Sequence, residues 1–312
     1  MIAPFFTRNV SILPETSNRK DMTALHRTAP RSGIRAVDPK VTAHFHASAA
    51  LYQRWSAEGH LHFGYWKPRM SFFDRKAMLE EMVVQVVRRL EPRVADRLAD
   101  LGCGYGSAAM LAARTYGVDV DAFTVVEEQA SIGQAQADGE GSSVALHQRD
   151  FRDTGLAHGC IDGVYALESL CYGAGRDKRD VIHEAARILK PGGRIALVDG
   201  FLLKPANGWR RRMVRTVERG WALPCFPQRA AFIAAMEQAG FADIRVRDLS
   251  WNVAPCAAHG PWLMLKGWVE RRLKVTRLNE LEQAHLKSCL LGIALGTQRD
   301  LFRYLMITAT KA

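Results

Sequence analysis

The chain has 312 residues, 48% of them hydrophobic, and a formal net charge of +11. That length fits one large domain with elaborations, and no stretch of about eighteen apolar residues is present to form a spanning helix. The six cysteines (Cys103, Cys160, Cys171, Cys225, Cys256 and Cys289) contain no C-x-x-C pair, which argues against a zinc site or dithiol chemistry and fits a reducing cytoplasm.

Residues 1–40 carry Arg8, Arg19, Lys20, Arg27, Arg31, Arg35 and Lys40 against only Glu15, Asp21 and Asp38. Such a composition predicts a disordered basic tail, with an organelle-targeting peptide as the other reading. No hydrophobic core of a secretory signal is present there. A segment over 41–75 then leads into a regular alternation of strands and helices. "RLADLG" (97–102) reads as a short strand. "SAAMLAARTYG" (107–117) reads as an Ala-rich helix closed by Gly117. "VDVDAFTVV" alternates as a strand, "EEQASIGQAQA" as a polar helix, and "SVALHQRD" as a third strand. "CIDGVYALES" is a fourth, mostly apolar strand. Val181, Ile182, Ala185, Ile188 and Leu189 recur at helical spacing before Pro191-Gly192-Gly193, and "RIALVDGFLL" is a fifth strand. Strands alternating with helices of this length predict a parallel α/β sheet. "QRAAFIAAMEQAG" predicts a further helix, and "FADIRVRDLSW" and "LFRYLMITATK" the last two strands. Helical insertions are expected over about 201–225 and 252–298, above the edge of the sheet.

Ligands of open α/β sheets bind beyond the carboxyl ends of the strands. Gly102, Gly104 and Gly106 stand at the first such end, directly after Asp100. Glycine there tolerates unusual backbone angles and lets a ligand touch the main chain. The spacing is G-x-G-x-G rather than the G-x-G-x-x-G of dinucleotide sites, and a carboxylate disfavours a pyrophosphate while favouring an ammonium.

"DLGCGYG" resembles the first motif of the class I S-adenosylmethionine (SAM)-dependent methyltransferases. The resemblance extends in register to "LHFGYW", "RDFRD", "GVYALESLCY" and "RILKPGGRIALVD". It implies a Rossmann-like, seven-stranded, mostly parallel sheet over 41–312, with 41–75 as a lid and the two insertions shaping the substrate site. It also implies SAM as cofactor. Asp100 would orient the methionine ammonium, and Gly102, Gly104 and Gly106 would line the methionine and ribose. The turn "FTVVEEQ" is similar to that of sterol and cyclopropane-type enzymes, which implies Thr124, Val125 and Gln129 beside ribose and adenine, with Glu127 as the competing ribose contact. Asp150 would accept from the adenine amine, with Phe151 beside the ring.

"HFGYW" is similar to lid segments of the sterol, tocopherol and geranyl diphosphate C-methyltransferases, which implies His62, Tyr65 and Trp66 near the methyl group. Glu168 and Tyr172 fall on the Glu and Tyr of a geranyl diphosphate enzyme motif. This implies alkene methylation through a carbocation, with Glu168 as base and Tyr65, Trp66 and Tyr172 stabilising the cation. Arg211 and Arg215 share a helix face suited to a prenyl diphosphate head, although the same spacing fits a solvated basic face. His259 is a further candidate at the substrate. No metal ligands are expected from the protein, and Mg2+ enters only with a diphosphate substrate. The leading expectation is C-methylation of an isoprenoid, with cyclisation as a conceivable sequel, in the cytoplasm and in secondary metabolism. The alternative is O- or N-methylation of an aromatic or alkaloid-like product, with His62 or His259 as base. RNA methylation has only the positive charge behind it, and no nucleic-acid partner is expected.

Overall fold

The computed structural model describes residues 39–263 and 280–312. The expected basic tail is thus outside the described residues up to residue 38, as is 264–279 within the second insertion. Seven strands form one sheet: β1 Arg97–Leu101, β2 Asp119–Thr124, β3 Val144–Gln148, β4 Ile161–Leu167, β5 Leu189–Leu202, β6 Phe241–Asp248 and β7 Phe302–Lys311. Their order is β3-β2-β1-β4-β5-β7-β6, and only β7 runs antiparallel to its neighbours. The helices are α1 Pro39–Trp55, α2 Arg75–Val87, α3 Ser107–Tyr116, α4 Glu127–Gly139, α5 Arg179–Ile188, α6 Gly208–Gly220, α7 Arg229–Gln238 and α8 Ser250–Ala257, with Glu280–Thr297 numbered α9.

Alternation along the central strands separates two cores. Leu98, Tyr165, Leu167, Ala196 and Val198 face Met82, Val83 and Val86 of α2 and the alanines of α3. Ala99, Leu101, Val164, Ala166, Ile195 and Leu197 face Val181, Ile182 and Ala185 of α5 and Phe232 and Met236 of α7. Both faces of the sheet are therefore covered, which is why β1 and β4 read as nearly continuous apolar runs.

Above the sheet edge, α6 and α9 pack closely. A Cβ on Gly220 would collide with Ser288, and one on Gly292 would lie 2.7 Å from the Trp221 ring. Met213, Val214 and Val217 of α6 form a third core with Leu223, Phe226 and Leu295. This packing sets α9 over the carboxyl ends of the strands, with α1 beside it, so that the sheet edge and the two helices enclose a space. Among the described residues, no helix is long and apolar enough to cross a membrane.

Candidate active site

A cavity of about 1220 Å³ opens above the carboxyl ends of β1, β2, β4 and β5. A single drug-sized ligand occupies a site of roughly 300–1,000 Å³, so the space exceeds one such molecule. Its first wall is the β1–α3 turn. Gly102 and Gly104 line it at φ of 103° and 54°. A Cβ on Gly102 would collide with Ser169, and one on Gly104 would meet Leu61 at 2.9 Å. Neither position accepts a side chain on conformational or steric grounds. Asp100 lies just beneath, 1% exposed, with neither carboxylate oxygen hydrogen-bonded. Burial pushes its pKa up to about 7. The Tyr165 hydroxyl is near enough to oppose that shift but lies outside normal hydrogen-bond geometry. A small space of about 30 Å³ separates Asp100 from His60 and His62 of the lid. His60 Nδ1 and His62 Nε2 are buried there without partners as well.

The second wall follows β2 and β3. Thr124, Val125 and Gln129 line it, with the Thr124 hydroxyl donating to Gln129 Oε1 at 2.8 Å. Glu127, the competing contact, is exposed on the first turn of α4. Asp150 and Phe151 also line this wall. Arg152 grips Asp150 through Nε at 2.9 Å and Nη2 at 2.5 Å.

The floor of the remaining space is acidic and aromatic. Glu168 follows β4 at φ 54°, a strained setting for a non-glycine residue. Its Oε1 accepts from the Phe63 N–H at 2.5 Å and the Tyr304 hydroxyl at 2.7 Å. The carboxyl touches the cavity yet lies deep in the protein, and that burial pushes its pKa up to about 8 against the pull of those two donors. Asp199, close to the Leu202 end of β5, lines the same floor. Its oxygens accept from Cys171 N at 2.9 Å and Gly200 N at 2.7 Å, and burial raises its pKa to about 6. The Tyr172 hydroxyl donates to Trp221 O at 3.1 Å. Buried Lys178 pins the loop after Glu168 by donating to the carbonyls of Cys171, Gly173 and Cys225 at 2.7–2.9 Å.

These features also meet the needs of a bound SAM. An unpartnered buried carboxylate awaits a cation, a glycine turn offers bare backbone, and a polar wall whose one acid, Asp150, is paired with Arg152 remains for the nucleoside. Residues 98–193 match the methyltransferase domain family. The chain is a class I SAM-dependent methyltransferase. It is 29% identical over 217 residues to the O-methyltransferase resE of Aspergillus sclerotiorum, spanning 66% of this chain and 80% of that protein. It is 28% identical over 273 residues to the 27-O-demethylrifamycin SV methyltransferase of Amycolatopsis mediterranei, spanning 84% of this chain and 92% of that one. Its fold matches the geranyl diphosphate C-methyltransferase of Streptomyces coelicolor A3(2) with a TM-score of 0.61 at 20% identity, over 85% of this chain and 98% of the other. The methyltransferase thus has relatives of secondary metabolism that are named for methylating oxygen.

Several expected contacts of the methyltransferase fall elsewhere. Gly106 does not line the cavity; it starts α3 at φ 78° and faces Leu146, so its role is to seat the helix. "HFGYW" divides along its length: His62 and Phe63 face the cavity, whereas Gly64, Tyr65 and Trp66 turn away. Gly64 passes so near the Met78 backbone that a Cβ would clash, and this turns the chain into the seam against α2. Tyr65 is buried in the core with its hydroxyl accepting from Arg247 at 2.8 Å, and Trp66 stacks on Phe72 at 4.7 Å. Arg211 and Arg215 are exposed, because α6 turns Met213, Val214 and Val217 inward and leaves the guanidinium face to solvent. His259 Nε2 donates to Phe72 O at 2.7 Å, outside the cavity lining. Of the three arginines that line the cavity, Arg54, Arg152 and Arg299, Arg152 is committed to Asp150 and Asp180, and Arg299 to Asp248. Among the described residues, no cluster of three or more His, Cys, Asp or Glu side chains is placed to hold a metal ion.

Proposed function

We propose that this methyltransferase O-methylates a hydroxyl of a bulky, largely apolar secondary metabolite, with Glu168 as general base. The observation that carries this reading is Glu168 itself: a carboxyl held at the floor of a large cavity, beside the glycine cradle, with its pKa near working pH. A general base is most effective under that match. Bound SAM supplies an electrophilic methyl group. Asp100 would take its ammonium, Thr124 and Gln129 its ribose, and Asp150 with Phe151 its adenine. Phe63 N–H and Tyr304 hold one oxygen of Glu168, leaving the other to face the acceptor. That oxygen takes the hydroxyl proton as the new carbon–oxygen bond forms. The apolar walls exclude water from the exchange. His62, buried with its pKa lowered to about 4, serves the cofactor side, where its free Nε2 adjoins Asp100.

A second reading, C-methylation of an isoprenoid alkene, draws support from the Phe45, Tyr52 and Tyr172 rings grouped near the same carboxyl, which suit a cation. The arginines expected to clamp a diphosphate head, Arg211 and Arg215, lie in solvent.

Release of S-adenosylhomocysteine can be followed with phenols, hydroxylated macrolactones and prenyl diphosphates in parallel. Turnover with hydroxylated acceptors, lost in Glu168→Gln, is expected. Turnover with prenyl diphosphates alone would replace this reading by the second.

A further inference from the structure

The roof of the chamber carries polar groups that the reaction leaves unused. His285, on α9, is 6% exposed and lines the cavity. Its Nδ1 is buried without a hydrogen-bond partner. Its ring lies 5.2 Å from that of His44, tilted by 37°, and 5.4 Å edge-on from that of Tyr52. The Tyr52 hydroxyl meets His44 Nε2 at 3.5 Å, whereas His285 Nδ1 has no such partner. Phe45 stacks on Tyr52 at 5.9 Å and tilts against Tyr172 at 5.6 Å, linking this roof to the loop behind Glu168. Burial holds His285 at a pKa of about 3 and His44 at about 4. Both rings are therefore neutral at physiological pH, each with one donor and one acceptor nitrogen.

Buried polar atoms in folded proteins nearly always have a partner. An unmet one on the wall of an aromatic chamber points to a partner that arrives with the ligand. Small-molecule sites have this build, mostly apolar with a few polar groups that fix orientation. We infer that His285 anchors the acceptor, hydrogen-bonding a hydroxyl of that molecule remote from the oxygen that is methylated, while Phe45, Tyr52 and Tyr172 enclose the apolar surface around it. The inference rests on the chamber being the acceptor site. It adds that the acceptor carries at least two oxygen functions, one facing Glu168 and one facing α9. An analogue without the second hydroxyl leaves the imidazole unpaired and is rejected for that reason.

The test uses 1-naphthol and 1-methylnaphthalene as probes of similar shape, by equilibrium dialysis against protein saturated with S-adenosylhomocysteine. Wild type is expected to prefer 1-naphthol by about tenfold or more, the effect of one buried hydrogen bond. His285→Leu should abolish the preference while keeping affinity for 1-methylnaphthalene, and His285→Asn, which retains a short polar group, should restore part of it. S-adenosylhomocysteine affinity, measured by calorimetry, should be unchanged in both and reports that they fold. An equal preference in wild type and both variants would overturn the His285 anchor and leave the chamber standing. Failure of wild type to bind either probe would overturn the chamber reading and the anchor together.

Discussion

Replacing Asp100 by Asn should raise the stability of the free protein and lower its affinity for cofactor, two effects of opposite sign from one side chain. The carboxylate is buried with both oxygens unpartnered, and its pKa moves from 3.8 to about 7 on folding. An acid with a raised folded-state pKa binds protons more tightly in the native than in the unfolded state. Stability therefore falls as pH rises across that window. Well below pH 3.8 the residue is protonated in both states and has no such effect; above pH 7 the full cost of roughly 4 kcal/mol is present. Water entering the cradle would reduce that figure. Asparagine cannot ionise, so the pH-dependent advantage of Asp100→Asn should vanish well below pH 3.8 and grow to pH 7. In the complex the carboxylate gains a charge-assisted hydrogen bond worth roughly 1.5–3 kcal/mol, so S-adenosylhomocysteine should bind at least about tenfold more weakly to the variant. Urea unfolding at several pH values gives the first quantity and titration calorimetry the second. A variant that is less stable than wild type at pH 7 and binds the ligand equally well would refute the reasoning.

Glu168→Gln should keep cofactor affinity and lose about 10²–10⁴ in acceptor turnover, the usual worth of a general base, measured by S-adenosylhomocysteine release. Wild-type kcat/KM should rise with pH towards about 8 as Glu168 ionises. Tyr304→Phe removes a donor that favours the ionised carboxyl, so the same rise should move to higher pH. Arg211→Ala combined with Arg215→Ala should leave kcat and KM unchanged for any acceptor, because both side chains are in solvent; a raised KM would return them to the site. Lys178→Met leaves three carbonyls without their donor and should cost roughly 1–3 kcal/mol for each one left buried and unpaired, read by urea unfolding.

The sheet was readable because each central strand is short, apolar and followed by a helical pattern. The glycine turn at the cavity wall was readable because Gly102 and Gly104 stand where side chains collide, a constraint that leaves a mark in sequence. "HFGYW" was harder. All five residues belong to one motif, but a close approach at Gly64 sends the chain behind the cavity wall, and no periodicity reports that turn. The helix carrying Arg211 and Arg215 showed two faces clearly; which one met the core depended on α9 packing against Gly220. Asp199 had a usable signal, as the single acid near the end of an apolar strand where ligands bind. Tyr304 sits on the antiparallel strand β7 and reaches Glu168 across 136 positions of sequence. Phe45, Tyr52 and His285 come together only because α1 and α9 meet over the sheet, with no local motif to announce it.

The position of the transferred methyl group tests the account most directly. Wild-type protein supplied with SAM carrying a 13C-labelled methyl group, and with a mixture of hydroxylated polycyclic acceptors and prenyl diphosphates, should yield a product whose labelled carbon is a methoxy group by NMR. A labelled C-methyl on a prenyl chain, or a hydroxylated product methylated just as fast by Glu168→Gln, would contradict it.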